Sequence, residues 1–398
     1  MSKITAKKNI KLNSRYNWQD YEEKMLSPLA MKSKHSRGRK HYEKEHPYRS
    51  LYQRDRDRII HSAAFRRLEY KTQVFVYHEG DYFRTRLTHT LEVAQIARTI
   101  SKNLKLNDDL TEAIALAHDV GHTPFGHAVE AVLNELMIEE GGFNHNEQGL
   151  RVVDSLEERY PSFKGLNLSW ETREGIIKHS MNVGKDFASR YAEFNPAEQP
   201  TLETQVMDVS DEIAYDNHDI DDGIKSGLIF EEDLRKKSQL WNMIYRKVKA
   251  EHSNLNSNLR VYLMIRNLIN TQVTDLIENT FRNVRKLKVF TFKDIIKCEE
   301  RIVSFSDGMN NLRSELREFL FDNLYCHWRV LRMTDKATRF VSALFDVYLH
   351  NPQLLPPPFR DETQGNGVKR TICDYLAGMT DKYALEEYKK FFDPYEKV

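Results

Sequence analysis

Apolar residues recur at helical spacing along most of this chain. Between residues 84 and 97, Leu87, Leu91 and Ala94 lie three or four positions apart. That spacing places them on one face of an amphipathic helix. Longer stretches with the same period cover 202–225, 231–282 and 309–350. The pattern therefore predicts a mostly α-helical protein.

Few segments show the alternation that is typical of a strand. The best candidate is 286–292, so β structure is expected to contribute at most a minor hairpin. Gly121, Pro124 and Gly126 end one helical stretch and turn the chain back toward it. The segment around 183–200 has the composition of a loop, and the proline-rich run 351–358 predicts a rigid, extended connector.

Composition indicates an ordinary globular protein. The 398 residues are 40% hydrophobic and 30% charged with a net charge of +1, which argues against a general binder of polyanions but leaves room for a local basic pocket. The cysteines, Cys298, Cys326 and Cys373, form no CxxC pair, as expected in a reducing compartment. Neither a bilayer-spanning apolar run nor the apolar core of a signal peptide is found. We therefore expect a cytoplasmic protein with no membrane partner.

The most informative residues are His118 and Asp119, adjacent at the end of an apolar, alanine-rich helical stretch. Burying an imidazole and a carboxylate there is costly unless a charged group satisfies both, and a divalent cation does so. An ordinary ion pair or a helix end is the alternative for such a dipeptide. His89 lies on the first amphipathic helix and Asp211 lies on a third helical stretch. Together these residues have the order His, then His-Asp, then a distant Asp.

This ligand order is that of the HD phosphohydrolases, and the chain more closely resembles the bacterial deoxyguanosinetriphosphate triphosphohydrolases. Six blocks carry the resemblance, and they run in the order of that family over nearly the whole chain: 56–68, 71–75, 84–89, 118–127, 142–146 and 374–381.

The resemblance implies an enzyme that hydrolyses deoxynucleoside triphosphates (dNTPs) at the α-phosphorus, releasing a deoxynucleoside and intact tripolyphosphate. With the helical pattern, it implies an all-α fold: a basic N-terminal arm (1–46), an HD catalytic core (47–230) and a helical C-terminal lobe (231–398). The lobe would complete the site and supply the contacts of a homo-oligomer, a hexamer in related enzymes. A basic run such as 32–40 is more often solvated, but it could pack on a neighbouring subunit or touch nucleic acid.

The implied metal ligands are His89, His118, Asp119 and Asp211. Two neutral imidazoles and two carboxylates suit one Mn²⁺ or Mg²⁺ per chain, or Fe²⁺, Co²⁺, Ni²⁺ or Zn²⁺, better than Ca²⁺. Four protein ligands leave positions open for water and a phosphate oxygen.

The resemblance also implies a catalytic dyad of His127 and Glu130 near the α-phosphorus. Histidine can give or take a proton near neutrality, and a carboxylate behind it sets its tautomer. A structural His–Glu pair at a helix start is the alternative. His122 and His145 match residues that approach the phosphates in relatives, with His122 grouped with the dyad.

The remaining candidates would bind substrate. No P-loop sequence is present, so a triphosphate would need separate cations; Arg86, Lys178, Arg332 and Lys336 are the candidates. Tyr215, Asp219 and Gln73 match residues at the deoxyribose in relatives, where a tyrosine ring under C2′ would exclude a 2′-hydroxyl. A core aromatic is the alternative for Tyr215.

Two other functions stay open. The same site could act on another nucleotide, as a monophosphatase, a cyclic-nucleotide phosphodiesterase or an alarmone hydrolase. Alternatively, the protein could sense nucleotides or bind single-stranded nucleic acid weakly, with hydrolysis secondary. A dNTP effector is possible, but Glu212 stands where regulated animal relatives carry a lysine, so their control does not carry over.

Overall fold

The computed structural model describes residues 15–73, 83–179, 189–252 and 254–397. Residues 74–75 of one family-like block, part of the expected loop at 183–200 and the first 14 residues of the arm lie outside these ranges. Helices α1 to α18 are, in chain order, Arg15–Met25, Leu51–Ile60, Ala63–Arg67, Arg86–Asn103, Asp108–Ala117, His127–Leu136, His145–Arg151, Trp170–Lys178, Leu202–Lys225, Glu231–Lys237, Gln239–Glu251, Ser257–Lys286, Phe292–Ile296, Asp307–Leu320, Trp328–His350, Pro357–Asn366, Val368–Ala377 and Asp381–Phe392.

The all-α prediction is confirmed: within the described ranges the only β features are isolated bridges. The strand expected at 286–292 is wrong. Helix α12 continues to Lys286, a turn with Lys288 at φ +54° follows, and α13 begins at Phe292. The apolar alternation there comes from residues that pack beside two helix ends.

The extended connector at 351–358 is only partly present. Pro352–Leu354 is a 3₁₀ turn and Leu355 and Pro356 are extended, but α16 begins at Pro357. Proline is well tolerated at the first position of a helix, where its missing N–H would have no partner. The last prolines of this run therefore begin a helix instead of forming an extended spacer between two helices.

Helices α4, α5 and α9 form the centre of the molecule. Helix α4 packs against α5, α9 packs across both, and α2 covers the other side of α5. Helix α9 is buried on nearly every face, as expected for a helix in the interior of a large core. Because these three helices carry His89, His118 with Asp119, and Asp211, their packing decides where the candidate ligands meet.

The C-terminal helices have a core of their own. Leu344 and Tyr348 of α15 pack with Ile372 and Leu376 of α17, and α6 contributes Val129 and Leu133 to this second cluster. Helix α6 directly follows the turn that carries the site histidines. It therefore joins the centre of the molecule to the C-terminal helices.

Part of the basic arm packs on the core. Ala30 and Met31 are buried in the main cluster, and Arg39 pairs with buried Asp55 at 2.5 Å. Lys32 pairs with Glu23 at 3.1 Å and Lys40 with Asp154 at 2.7 Å. These cations are already matched within the chain. Among the described residues, no helix is long and apolar enough to cross a membrane.

Candidate metal centre and active site

The structure brings His89, His118, Asp119 and Asp211 together. Nε2 of His89 lies 2.8 Å from Oδ1 of Asp211. Nε2 of His118 lies 3.7 Å from the same oxygen and 3.4 Å from Oδ1 of Asp119. Both histidines and Asp119 are almost fully buried. The donor atoms of His89, His118 and Asp119 lie within 4.8 Å of one another, and those of His118, His179 and Asp211 form a second group of the same kind.

The state of His118 fits a metal ion. Its Nδ1 donates to the backbone carbonyl of Ala115 at 2.7 Å, which leaves the lone pair on Nε2. That Nε2 is buried without a hydrogen-bond partner. A buried nitrogen lone pair without a donor is costly. A divalent cation held with His89, Asp119 and Asp211 would satisfy it.

The two carboxylates are held ionised. Burial alone would raise the pKa of Asp119, but His118, Arg86 and His122 around it hold that pKa well below its usual range. For Asp211 burial is likewise outweighed by the three histidines around it, His118, His179 and His89, which hold its pKa well below the usual range. Ionised carboxylates beside histidines are the donor set that a divalent cation requires.

His179 belongs to this cluster although the sequence analysis selects its neighbour Lys178. Nε2 of His179 lies 3.5 Å from Oδ2 of Asp211, and its Nδ1 lies 2.7 Å from Oδ1 of Asp208. Burial would lower the pKa of His179, but hydrogen bonds to Asp208 and Asp211 raise it to about 10. The available signal was a histidine directly after the buried helix α8.

Two glycines bring a second set of side chains beside the first. A Cβ on Gly121 would lie 2.1 Å from the carbonyl oxygen of His145 and 2.2 Å from the nitrogen of Gly149, so only glycine lets α7 approach the turn. Gly126, at φ +69° and ψ −145°, is the N-cap of α6. His127 is consequently the first residue of that helix.

Glu130 joins two of the histidines. Its Oε2 accepts from Nδ1 of His127 at 3.0 Å, and its Oε1 accepts from Nδ1 of His145 at 2.8 Å. His122 stacks on His145 with ring centroids 4.0 Å apart, and Nε2 of His122 lies 3.1 Å from Oδ1 of Asp119. His122 therefore links this histidine cluster to the metal-capable one.

Burial sets the charge of this second cluster. It lowers the pKa of His122 well below the usual range and outweighs the pull of Glu130 in lowering that of His145. Burial would raise the pKa of Glu130, but hydrogen bonds from His127 and His145 hold it far below its ordinary value. The cluster therefore presents neutral buried imidazoles and an ionised carboxylate, with His127 exposed at its edge.

A cavity of about 610 Å³ opens beside both clusters. His127, Asp211 and Tyr215 line one side of it. The C-terminal part supplies Arg317, Phe321 and Tyr325. The volume is within the range of small-molecule sites. Phe321–Tyr325 is a π-helical segment, an irregularity that often marks functional sites and that the apolar period of the sequence did not reveal.

Arg86 and Gln73 also reach the site. Nη1 of Arg86 donates to Oδ2 of Asp119 at 3.2 Å, and a Cβ on Gly126 would lie 3.2 Å from Nη2 of Arg86. The Gln73 amide oxygen is buried without a hydrogen-bond partner. Asp219 lies behind the cavity wall, where it accepts a hydrogen bond from the Tyr325 hydroxyl.

The structure does not bring the other proposed phosphate-binding cations to the site. Lys178 is buried, pairs with Glu174 at 2.9 Å and donates to the carbonyls of Asn195 and Glu198. Its ammonium is occupied by these partners. Arg332 and Lys336 are exposed on α15, where they lie over the rings of Trp328 and Phe340.

Comparison with known proteins finds relatives along most of this chain. An HD domain family model matches residues 86–216, and a phosphohydrolase-associated domain model matches residues 303–390. A relative from Geobacter sulfurreducens is 51% identical over 94% of this chain and 96% of its own length. A relative from Ralstonia pickettii is 49% identical over 92% of this chain and 94% of its own length. Both relatives are named deoxyguanosinetriphosphate triphosphohydrolase-like protein, and the chain belongs to this family of HD-domain phosphohydrolases.

Proposed function

We propose that this protein hydrolyses dNTPs at the α-phosphorus, releasing a deoxynucleoside and intact tripolyphosphate. The observation that carries the proposal is the contact of His122 with Asp119, which joins a metal-capable cluster to a histidine–glutamate cluster beside one nucleotide-sized cavity. The names of the relatives support triphosphohydrolase chemistry.

The proposed ligands are His89, His118, Asp119 and Asp211, which would hold one divalent ion per chain. When bound, that ion would polarise a phosphoryl group and offset its developing negative charge. Mn²⁺ and Mg²⁺ are the first candidates, and Fe²⁺, Co²⁺, Ni²⁺ and Zn²⁺ also suit this mixture of nitrogen and oxygen donors.

The proposed proton transfer is carried by His127. Water attacks the α-phosphorus and releases one proton to the solvent, the bond from phosphorus to the 5′-oxygen breaks, and the 5′-oxygen takes up a proton as the deoxynucleoside leaves. His127 is exposed to the cavity and has Nδ1 held by Glu130, so its Nε2 is free to give that proton. Glu130 orients His127 and stabilises its charged form.

The residues around the cavity suggest which side chains would contact the phosphates and the sugar of the substrate. Arg86 would donate to the phosphates, His122 and His145 would lie beside them, and Arg317, which the sequence analysis missed, adds a cation at the wall. Tyr215 would lie against C2′ of the sugar, with Gln73 nearby. Asp219 would act through Tyr325, because the Tyr325 hydroxyl already occupies its carboxylate.

Glu212, which replaces the lysine of the regulated animal relatives, has two arginine partners in this chain. It accepts from Arg313 at 3.1 Å and from Arg317 at 2.9 Å. A lysine at this position would repel both arginines. We therefore propose that any effector control uses contacts other than those of the animal relatives.

The test is product analysis. All four dNTPs and the four ribonucleotides are incubated singly and mixed with Mn²⁺ or Mg²⁺, and the products are separated. We expect a deoxynucleoside and tripolyphosphate from at least one dNTP, and no activity in Asp211→Ala. Pyrophosphate or orthophosphate as the first product would overturn the proposal, whereas activity only in mixtures would reveal an effector.

A further inference from the structure

The turn between α5 and α6, residues 118–127, carries three of the site histidines and is held from outside by the C-terminal helices. We propose that Asp381 and Lys71 are positioning residues that fix this turn and thereby set the geometry of His122 and His127. This inference rests on the proposed function for its kinetic consequence, but the restraint itself is a property of the fold.

Asp381 is the first residue of α18 and is nearly fully buried. Its Oδ1 accepts from the backbone N–H of Phe125 at 2.9 Å. Its Oδ2 accepts from the backbone N–H of Thr72 at 2.9 Å and from the Thr72 hydroxyl. One carboxylate thus joins two segments that are far apart in sequence.

Phe125 is a position that needs an external restraint. Its φ of +59° lies in the left-handed region, which is unfavourable for a side chain of this size. The next residue, Gly126, also has positive φ, and His127 then starts α6. The hydrogen bond from the Phe125 amide to Asp381 therefore acts two residues before the proposed proton donor.

Lys71 holds the other half of the turn. Its buried ammonium donates to the carbonyl of His122 at 2.5 Å and to the carbonyl of Ala377, at the end of α17, at 2.9 Å. The described residues offer it no carboxylate within ion-pair distance. Its side-chain nitrogen therefore orients two backbone carbonyls, one of them in the turn.

These contacts predict an effect on turnover rather than on binding. Neither residue lines the cavity, so their loss would displace His122 and His127 without removing a substrate contact. Small displacements of reacting groups are costly for the rate. Metal content is expected to stay unchanged, because the two restraints act on His122 and Phe125, whereas the ligand His118 is held by the Ala115 carbonyl at the end of α5.

The experiment compares Asp381→Ala and Asp381→Asn with Glu387→Gln. Glu387 is a buried carboxylate on the same helix, but its partners are Tyr348 and Lys390 of the C-terminal part, so its loss tests general destabilisation. We expect kcat to fall ~10- to 100-fold in Asp381→Ala with KM within about threefold. Asp381→Asn should recover part of the rate, since its amide oxygen can still accept one bond.

Hydrogen exchange of a peptide covering 120–130 provides a readout without turnover. It should be faster in Asp381→Ala, and in Lys71→Met as the second variant, but not in Glu387→Gln. Unchanged exchange in both variants, or an equal loss of kcat in Glu387→Gln, would overturn the inference. If the wild-type protein released no tripolyphosphate, the proposed function would fail. The hydrogen-exchange measurement would then still test whether Asp381 and Lys71 restrain the turn.

Discussion

Three histidines of the candidate site have the same arrangement: one ring nitrogen of each donates to a fixed acceptor. His118 uses Nδ1 on the Ala115 carbonyl, His179 uses Nδ1 on Asp208, and His127 uses Nδ1 on Glu130. Fixing one nitrogen orients the ring and commits the other nitrogen to its task. The residues behind the histidines therefore matter nearly as much as the histidines themselves.

For His179, we predict a role in metal affinity. His179→Gln removes the charged group behind Asp211, so the affinity for a divalent ion should fall ~10- to 100-fold. Competition with a fluorescent chelator measures this affinity without turnover. His61→Gln is the control, because His61 is exposed on the helix α2 cap. An affinity equal to wild type would show that Asp208 and His179 only pack the core.

For His127, we predict a loss of rate without a loss of metal. His127→Ala should lower kcat by ~10²-fold or more, because the 5′-oxygen loses its proton donor. Glu130→Gln should lower it less, since Glu130 orients the histidine. Steady-state kinetics with elemental analysis of the same samples checks both. Turnover near wild type in His127→Ala would remove the dyad from the mechanism.

At the scale of elements, α9 both carries residues of the candidate site and holds the N-terminal segment. Its middle carries Asp211 and Tyr215, while its first turn anchors the N-terminal segment. Oε1 of buried Glu203 accepts from the amides of Met31 at 3.0 Å and Asn107 at 2.9 Å, and Oε2 has no hydrogen-bond partner. A single helix therefore links the arm to the metal-capable cluster.

Glu203 gives this element a predicted pH dependence. Burial raises the pKa of Glu203 from 4.5 to about 7. Because the folded pKa exceeds the unfolded one, its contribution to stability is full below pH 4.5 and is lost as the pH rises through 7. Glu203→Gln mimics the protonated acid. It should match wild type near pH 5 and exceed it near pH 8 by up to ~3 kcal/mol, at ~1.4 kcal/mol per pH unit.

Thermal unfolding midpoints of wild type and Glu203→Gln at the two pH values test this expectation. Glu139→Gln is the control, because Glu139 is exposed and paired only with Lys369 at the surface. The difference between Glu139→Gln and wild type should not change over this range. A Glu203→Gln protein that is less stable than wild type at both pH values would contradict the prediction.

At the scale of the whole molecule, the two family-model matches are separate in sequence but not in space. Helix α6 packs into the C-terminal cluster, and Arg317 from one match contacts Glu212 and Asp216 from the other. The cavity has walls from both. Cutting the chain between the two matches should therefore remove one side of the proposed substrate site.

The assembly prediction is a homo-oligomer, with a hexamer as the first candidate. Of the C-terminal apolar residues, Phe319 and Leu320 are core, whereas Trp328 is 54% exposed and Phe230 near it is 63% exposed. Trp328→Glu should weaken an assembly that uses this face. Light scattering across working concentrations measures the mass. A fully active wild-type monomer would contradict the prediction.

The sequence by itself determined the all-α class and the order of the candidate ligands. Helical periodicity is local: neighbours three and four positions apart decide which face is apolar, so 202–225 was predicted with the bounds of α9. The pattern failed where it depends on what packs nearby. The alternation at 286–292 predicts a strand and the prolines at 351–358 predict an extended connector. In the structure, the helices on either side determine the conformation of both segments.

Tertiary structure alone decided which polar residues belong to the site. Lys178 and His179 are adjacent, yet one is buried among carbonyls and the other contacts Asp211. Arg317 and Asp381 have partners that lie about 100 and 256 residues away in the sequence. Such pairings follow from the packing of α14 on α9 and from the position of α18 beside the turn before α6. A local pattern cannot specify them, because it records the face of a helix but not the neighbour that covers it.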